Sequence, residues 1–302
     1  MKDLPIKLSH AVKASMADGK AILAMESTVI THGLPYPQNF EILSELEALA
    51  MHYGAVPATI CVLDGICHIG LDAQDLSSLE AKVRTKSKLN KLARRDLAWA
   101  FANNESGGTT VSATMALAHI AGIKVFATGG IGGVHRSWQE TLDISNDLFT
   151  LAEIPVIVVS AGSKAILDIP ASLEALEALG VPVYGWGVDV FPAFYSRDSR
   201  VKIAQVDSLS AIAAAFRYAL KIAPKGILIA NPIPKEDEIS VSEIEPYIQE
   251  ALKQASGLSG KQLTPFLLDY LAKATQGRSV RANLALLKNN VVLGAKIAGE
   301  LI

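Results

Sequence analysis

The stretch IPVIVVSAGSKAILDIP, residues 154–170, constrains the fold more than any other part of the sequence. Residues 155–160 form a β-branched apolar run of strand length, Ala161-Gly162 interrupts it, and the pattern predicts a helix from Ser163. A buried strand followed at once by a helix is typical of α/β proteins, whose catalytic groups gather in the loops at strand ends. Lys164 is therefore predicted to lie just after a strand, in the first turn of a helix.

The predicted position of Lys164 has a chemical consequence. The positive end of a helix dipole disfavours an ammonium group and so favours the neutral amine, which can act as a nucleophile. The alternative is an ordinary surface lysine on a loop between a strand and a helix. This stretch alone leaves both interpretations open.

Composition limits the classes of protein to which the chain can belong. Its 302 residues are 50% hydrophobic and 19% charged, which predicts a large buried core. No Pro/Ser/Gly-rich linker divides the sequence, so we expect a single domain. The net charge of −2 provides no general field for nucleic acid, and no apolar run approaches the roughly 18 residues of a membrane span. The first 25 residues lack a signal-peptide core. We expect a cytoplasmic protein without nucleic-acid or membrane partners.

The two cysteines, Cys61 and Cys67, flank an Asp-Gly pair in TICVLDGICHIG, which is a strong signal for a two-residue hairpin turn. In that register Cys61 pairs with His68, and Val62 pairs with Cys67. The two thiols then face opposite sides of the ribbon, which argues against a disulfide. Two cysteines and one histidine do not complete a zinc site, so both cysteines are predicted to be packing residues.

Glu26 occupies the same kind of position as Lys164. The run AILAM, residues 21–25, predicts a buried strand, and Glu26 follows it directly. On the residues alone, a capping or helix-dipole carboxylate is the favoured interpretation and a catalytic carboxylate is the alternative.

Two segments are candidates for anion binding. Residues 82–99 carry seven basic side chains, which predict either a local anion site or a solvated basic helix face: Lys82, Arg84, Lys86, Lys88, Lys91, Arg94 and Arg95. Residues 103–122 predict a Gly-Thr loop that enters a helix. There the backbone at Gly107-Gly108 can approach a ligand closely, while Thr109, Thr110 and the first helical amides offer donors to phosphate or sugar oxygens.

A second glycine loop and an acidic cluster follow. IKVFATGGIGGVHR, residues 123–136, has an incomplete dinucleotide-binding pattern, because His135 stands where a third glycine would be. TLDISNDL, residues 141–148, places four oxygen-bearing side chains within five residues: Asp143, Ser145, Asn146 and Asp147. Such oxygens suit Mg²⁺ or Mn²⁺, and an Asx-turn before a helix is the alternative.

Taken together, these stretches resemble one family, the pseudouridine-5′-phosphate glycosidases, also called indigoidine synthase A-like proteins. The matching segments run from residue 26 to residue 290: ESTVITHGLPYPQN, GGTTVSATM, FATGGIGGVHR, DISNDL, SAGSKAILDIP, PAFYSRDS, ANPIP, GKQLTP and ANLALLKNN. They cover nearly the whole chain, and each is too long and too specific to arise from general α/β patterning.

The resemblance implies a three-layer α/β/α sandwich with a mixed central sheet, formed by a single domain and assembled as a homotrimer. It also implies a reaction, the reversible cleavage of pseudouridine 5′-phosphate to uracil and ribose 5-phosphate. One divalent cation per subunit, Mn²⁺ or another such as Mg²⁺, is implied as well.

The resemblance carries roles to individual residues. Lys164 matches the lysine that forms a Schiff base, Glu26 the carboxylate that transfers a proton, and Asp143 the metal-binding aspartate. The residues that match or resemble substrate-binding positions are Lys91, Thr110, Val111, His135, Ser145, Asn146, Asp147 and Asn283.

The chemistry of a C-glycoside is consistent with these residue types. A carbon–carbon glycosidic bond offers no leaving-group heteroatom to protonate, so a pair of carboxylates would not suffice. A lysine imine at C1′ provides an electron sink. The sequence leaves two alternatives open: another lysine-imine lyase, such as an aldolase acting on a sugar phosphate, and a non-catalytic nucleotide-binding protein.

Overall fold

Thirteen short strands form the framework of the described part of the chain, which comprises residues 4–85, 87–255 and 263–302 of the computed structural model. The strands are β1 (Ile6–Leu8), β2 (Ile22–Glu26), β3 (Val56–Leu63), β4 (Ile66–Ile69), β5 (Asn90–Leu92), β6 (Gly107–Thr109), β7 (Val125–Ala127), β8 (Val134–His135), β9 (Ile157–Ser160), β10 (Leu167–Asp168), β11 (Val183–Trp186), β12 (Ala204–Val206) and β13 (Ile227–Ala230).

Helices alternate with these strands along the chain. They are α1 (His10–Ala17), α2 (Gln38–His52), α3 (Ala73–Arg84), α4 (Leu97–Ala102), α5 (Val111–Ile120), α6 (Trp138–Thr141), α7 (Asn146–Glu153), α8 (Ile169–Ala178), α9 (Leu209–Ile222), α10 (Val241–Gln254), α11 (Leu263–Ala274) and α12 (Arg278–Gly299). A π-helical turn, Val29–Gly33, follows β2. None of the described helices has the length and apolar character that a membrane crossing requires.

The central sheet is mixed and mostly parallel. Its strand order is β1-β4-β3-β2-β7-β9-β13-β11-β12, with β6 paired to β3 and β5 beside it. The run from β3 through β12 is parallel, whereas β3 pairs antiparallel with β4 and with β6. A separate small sheet joins β8 to β10.

Helices cover both faces of the sheet. Successive side chains of a strand point to opposite faces, and in β2 Leu23 and Met25 pack into one apolar layer while Ala24 packs into the other. The first layer contains α2, α9, α10, α11 and α12, and the second contains α1, α4, α5, α7 and α8. The prediction of a three-layer α/β/α sandwich with a mixed sheet is therefore confirmed.

The predicted hairpin is present with the predicted register. β3 and β4 pair antiparallel, with Cys61 opposite His68 and Val62 opposite Cys67. Both cysteines are buried and free, and burial raises the pKa of the Cys67 thiol to about 12. The interpretation of both cysteines as packing residues agrees with this burial.

The predicted helix at Ser163 is wrong. Lys164 lies in an irregular loop between β9 and β10, and α8 begins only at Ile169. The cap is Asp168, whose carboxylate accepts a hydrogen bond from the Ala171 amide at 3.0 Å. Pro170 supplies the additional start signal, because proline is favoured in the first helical turn. Lys164 therefore is not in a helical first turn, and its position comes from the loop alone.

Two further differences concern the edges of the fold. The edge strand β1, which was not predicted from the sequence, precedes α1 and pairs parallel with β4. Gly107–Thr109, predicted as a loop, is the short strand β6. Three residues are too few for a period of two to be visible in a sequence.

The side chains of GKQLTP, residues 260–265, lie outside the described part of the structure.

The N-cap of α8 gives a prediction for stability. Asp168→Ala removes the acceptor of the Ala171 amide, so we expect the free energy of unfolding to fall by about 1 kcal/mol. Asp168→Asn, which retains a capping oxygen, should lose much less. Urea unfolding of the two variants measures the difference. Equal stability of Asp168→Ala and the unmodified protein would contradict the assignment of the cap.

Candidate functional site

The carboxyl ends of neighbouring parallel strands meet at one edge of the sheet. Glu26 ends β2, Thr128 follows β7, Ser160 ends β9, and Asn231 follows β13. The strand order β2-β7-β9-β13 makes these ends neighbours. Ligand sites of open α/β sheets lie at such an edge. Glu26 and Lys164, the two catalytic candidates from the sequence, are both located there.

One cavity at this edge contains both predicted catalytic side chains, Glu26 and Lys164. Its polar lining comes from loops after the strands, and its apolar wall comes from Phe194, Leu268 and Leu287. The complete lining is Glu26, Thr28, Val29, His32, Gly33, Lys91, Thr110, Gly129, Gly130, Lys164, Phe194, Leu268, Asn283 and Leu287. We call this the Glu26 cavity.

A second cavity adjoins the first and is lined by more charged side chains. It contains His135 and the whole acidic cluster, and we call it the Asp143 cavity. Lys91, Thr110 and Lys164 line both cavities. The lining of the Asp143 cavity is Lys91, Ala93, Arg95, Thr110, Ser112, Gly132, His135, Asp143, Ile144, Ser145, Asn146, Asp147, Lys164 and Leu167. Lys164 therefore stands where a ligand could extend into both spaces.

Two threonine hydroxyls hold the carboxylate of Glu26. Thr28 Oγ1 donates to Oε2, and Thr128 Oγ1 donates to Oε1. Both threonines are buried, with Thr128 fully so. Each carboxylate oxygen thus has one neutral donor, which fixes the orientation of the group without neutralising its charge. The favoured early interpretation of Glu26 as a helix cap does not agree with this position inside a cavity.

Close contact between two loops fixes the backbone at Lys164. The Lys164 amide donates to the Ile131 carbonyl at 3.1 Å, and the Ile131 amide donates to the Gly162 carbonyl at 3.0 Å. The second glycine loop is thereby locked against the lysine loop. A Cβ on Gly130 would lie 2.6 Å from the Phe194 ring, so this position requires glycine.

The electrostatics of the Asp143 cavity are visible at His135. Burial lowers the pKa of His135 below its ordinary value, and the nearby carboxylate of Asp143 opposes this effect. The positive charges of Lys164 and Lys91 lower the pKa further. His135 Nε2 lies 3.9 Å from Asp143 Oδ2, and the His135 amide donates to the Asp143 carbonyl at 3.0 Å. His135 therefore lies between the carboxylate of Asp143 and the two lysines that line the same cavity.

Two helix N-termini face the Asp143 cavity. Thr110 is the N-cap residue of α5, and Val111 is the first residue of that helix. Val111 is buried, so what it can present to a ligand is its backbone amide. Ser145 caps α7, and its hydroxyl accepts a hydrogen bond from the Asp147 amide at 3.2 Å. The turn before α7 is therefore capped by a serine hydroxyl and not by the Asx side chain of the alternative interpretation.

Asp147 joins two elements of the site. Its Oδ1 accepts from the Ser112 amide at 3.0 Å, and its Oδ2 accepts from the Gly132 amide at 2.8 Å. Both carboxylate oxygens therefore contact the protein itself. Asn146 differs, because its Oδ1 is buried without a hydrogen-bond partner. An acceptor in that condition beside a cavity is ready to receive a donor from a ligand.

The donor set at Asp143 suits a hard cation held by few protein ligands. No three His, Cys, Asp or Glu side chains among the described residues converge as a metal cage. Mg²⁺ and Mn²⁺ do not need such a cage, because one carboxylate, water and substrate phosphate oxygens can complete their coordination. The Asp143 side chain is 33% exposed and lines the cavity, so water and a ligand can reach it.

The basic segment divides into two parts. Lys91 and Arg95 line the Asp143 cavity, as an anion site requires. Lys82 pairs instead with Asp64 at 2.8 Å, and the Arg84 guanidinium lies over the Tyr36 ring. Lys82 and Arg84 thus agree with a basic surface on α3, whereas the anion site at Lys91 and Arg95 stays a prediction.

Sequence analysis did not assign roles to several residues of the site. Thr28 and Thr128 stood inside recognised motifs, and their places just after β2 and β7 are a signal that could have found them. His32, whose Nε2 donates to the Leu89 carbonyl at 3.1 Å, also lines the Glu26 cavity. Phe194, in the segment PAFYSRDS, contributes to the apolar wall of the Glu26 cavity. Leu268 and Leu287 come from distant helices and carry no local signal.

Comparison with known proteins adds independent findings. The family model described as "Indigoidine synthase A like protein" matches residues 11–300. A pseudouridine-5′-phosphate glycosidase of Roseobacter denitrificans is 49% identical over 306 residues, covering 100% of this chain and 97% of the relative. The enzyme of that name from Methylobacterium nodulans is 50% identical over 292 residues, covering 95% of this chain and 85% of the relative.

Solved structures agree with the sequence relatives. An indigoidine synthase A-like protein from Thermotoga maritima superposes with a TM-score of 0.90 at 33% identity, covering 99% of this chain and 97% of that one. The prealnumycin C-glycosynthase, solved in complex with ribulose 5-phosphate, gives a TM-score of 0.90 at 34% identity with the same coverage. Both the family model and these relatives span nearly the full chain, and the chain belongs to the indigoidine synthase A-like family.

Proposed function

We propose that this chain catalyses the reversible cleavage of pseudouridine 5′-phosphate to uracil and ribose 5-phosphate. The observation that carries the proposal is the place of Lys164, which lines both cavities. Relatives with the corresponding name at close to half identity support it. A substrate with a flat base on one side of C1′ and a phosphorylated sugar on the other would fill the two spaces.

The reaction is easiest to follow in the direction of bond formation. The amine of Lys164 condenses with the aldehyde of ring-opened ribose 5-phosphate, releasing water and forming an imine at C1′. C5 of uracil attacks this carbon, and the electron pair of the imine moves to nitrogen. Glu26 takes the proton that C5 loses. The C4′ hydroxyl then displaces the lysine nitrogen and closes the ribose ring.

Cleavage is the reverse, and it requires a protonated Glu26 beside the base. Glu26 donates its proton to C5 as the lysine nitrogen forms the imine, so the departing carbon does not carry a full negative charge. The two threonine donors hold the carboxyl group in position for this transfer. The apolar wall that includes Phe194 suits the face of a pyrimidine ring.

The sugar phosphate fits the Asp143 cavity. Lys91 supplies positive charge, and the Val111 amide at the start of α5 and Asn146 supply hydrogen-bonding groups. We propose that Asp143 holds one Mn²⁺ or Mg²⁺ per subunit, which would neutralise phosphate charge when bound. His135 lies near Lys164 and Asp143, so it can exchange a proton with hydroxyl groups of the open sugar.

We further propose a homotrimer, as the family resemblance implies. Large apolar side chains remain exposed on the single chain, including Trp99 at 66%, Leu142 at 75% and Ile222 at 83%. Exposed apolar groups of this size support an assembly that would cover some of them.

Paired substitutions test the division of labour between Lys164 and Glu26. Glu26→Gln should still form a borohydride-reducible adduct with ribose 5-phosphate, but its turnover should fall by roughly 10²–10⁴-fold because glutamine cannot donate a proton to C5. Lys164→Ala is the matched variant, and it should lose both the adduct and turnover. Intact mass after reduction and release of uracil measure the two effects.

The outcomes separate the alternatives. Loss of the adduct in Glu26→Gln would mean that Glu26 is needed before carbon–carbon chemistry, and normal turnover in that variant would overturn its role. An adduct without any dependence of turnover on uracil or pseudouridine 5′-phosphate would instead identify another lysine-imine lyase.

Metal dependence provides a separate prediction. Chelation with EDTA should abolish turnover, and added Mn²⁺ or Mg²⁺ should restore it. Asp143→Asn should raise the metal concentration needed for half-maximal turnover by at least about tenfold, because a charged ligand is lost. Glu140→Gln, on the exposed surface of α6, is the control and should leave it unchanged. Full turnover of a verified metal-free preparation would contradict the proposal.

A further inference from the structure

Asn290, on α12, is fully buried although its side chain is polar. Its Nδ2 donates to the Thr128 carbonyl at 2.7 Å and to the Gly129 carbonyl at 3.3 Å. Its Oδ1 accepts from Asn231 Nδ2 at 3.0 Å. Both the oxygen and the nitrogen of the Asn290 side chain are therefore hydrogen-bonded. Breaking such bonds in buried surroundings raises the free energy of the folded protein.

This network ties together the ends of three adjacent strands. The Asn231 amide donates to the Ser160 carbonyl at 2.8 Å, which connects the end of β13 to the end of β9. The Thr128 amide donates to the Val159 carbonyl at 3.0 Å, which connects β9 to the residue after β7. Asn290 closes the arrangement by contacting both Thr128 and Asn231.

The spacing of residues on α12 explains why one helix can do this. Asn283, Leu287 and Asn290 are separated by four and three positions, so they lie on one face of the helix. Asn283 and Leu287 line the Glu26 cavity, and Asn290 reaches the backbone behind that cavity. The helix thus contacts the cavity at one point and its supporting loop at another.

We propose that Asn290 is a positioning residue for proton transfer by Glu26 and acts through Thr128. Thr128 makes both of the hydrogen bonds concerned. Its carbonyl accepts from the Asn290 side chain, and its hydroxyl donates to Glu26 Oε1. Fixing the Thr128 backbone fixes where that hydroxyl points. This inference rests on the proposed function, in which Glu26 moves the proton at C5.

The geometry limits what loss of Asn290 should affect. The Lys164 amide is held by the Ile131 carbonyl, and neither Ile131 nor α5 or α7 takes a hydrogen bond from the Asn290 side chain. The Gly129 carbonyl does, but it also accepts from the Ala161 amide at 2.9 Å, so the glycine loop keeps its bond to the lysine loop without Asn290. Imine formation should therefore survive when Asn290 is truncated. Carbon–carbon bond making and breaking should suffer, because the proton donor is no longer held in place.

The first experiment compares Asn290→Ala with Asn289→Ala. Asn289 is its neighbour on α12, and its side-chain amide donates to the Pro232 carbonyl at 3.0 Å. Asn289→Ala therefore controls for the loss of a partly buried hydrogen bond between an asparagine side chain and the backbone. Asn290→Ala should lower kcat by about tenfold or more, leave the KM for ribose 5-phosphate nearly unchanged, and retain the reduced adduct on Lys164. Asn289→Ala should retain near-normal kcat.

A double-substitution cycle tests whether Asn290 acts through Thr128. Thr128→Val removes the hydroxyl at nearly constant volume and should show the same retained adduct with lowered kcat. In the Thr128→Val background, Asn290→Ala should lower kcat by less than about twofold, because the donor that it positions is already absent. Multiplicative effects of the two substitutions would overturn the proposal.

Further outcomes separate this inference from the proposed function. If the unmodified protein forms no adduct on Lys164, the proposed function itself fails. If the unmodified protein forms the adduct but Asn290→Ala loses adduct and turnover in equal measure, the positioning role of Asn290 is overturned and the proposed function stands. If Asn290→Ala does not fold, Thr128→Val provides the test. A normal kcat in that variant would show that the Thr128 hydroxyl is not needed for proton transfer, which would overturn the proposed role of Asn290.

Discussion

The parallel pairing of β2, β7 and β9 is the constraint on which the site depends. Because the three strands run side by side in one direction, Glu26, Thr128 and the loop that carries Lys164 emerge at the same edge of the sheet. The pairing is stabilised by apolar side chains on both faces, including the fully buried Phe126 on one face and Val159 on the other. A rigid sheet is what allows a carboxylate and an amine from residues far apart in sequence to share one cavity.

The two adjoining cavities differ in the kind of ligand that their linings suit. On one side, Glu26 is held by neutral hydroxyl donors beside an apolar wall, which suits a proton transfer to the carbon of a flat base. On the other side, Lys91, His135 and Asp143 form a polar space suited to a sugar phosphate. Lys164 lines both spaces, and its loop is locked by backbone hydrogen bonds to the second glycine loop.

Much of this arrangement could be predicted from the sequence. Long apolar runs predicted the central strands, and the Asp-Gly pair predicted the hairpin register, because both signals are local. The motifs identified Glu26, Lys164 and Asp143. The start of α8 was misplaced because the loop at Ser163 resembles a helix N-terminus, whereas Asp168 and Pro170 supply the actual start signals. Short edge strands such as β1 depend on pairing with β4, which no local pattern reveals.

Contacts between distant segments escaped the sequence for the same reason. The hydrogen bond from Asn290 to the Thr128 carbonyl joins residues 162 positions apart, and the Asp147 carboxylate joins the Ser112 amide of α5 to the Gly132 amide of the second glycine loop. Such contacts form only when the sheet brings the strand ends and α12 together. Asparagine and aspartate are common residue types, so only the folded structure shows which segments these side chains connect.

The most direct measurement is the location of the covalent intermediate. The unmodified protein would be incubated with ribose 5-phosphate, reduced with borohydride, digested and analysed by peptide mass spectrometry. This account predicts one sugar phosphate adduct, carried by the peptide that contains Lys164. An adduct on Lys91 instead, or no adduct in a preparation that releases uracil from pseudouridine 5′-phosphate, would contradict it.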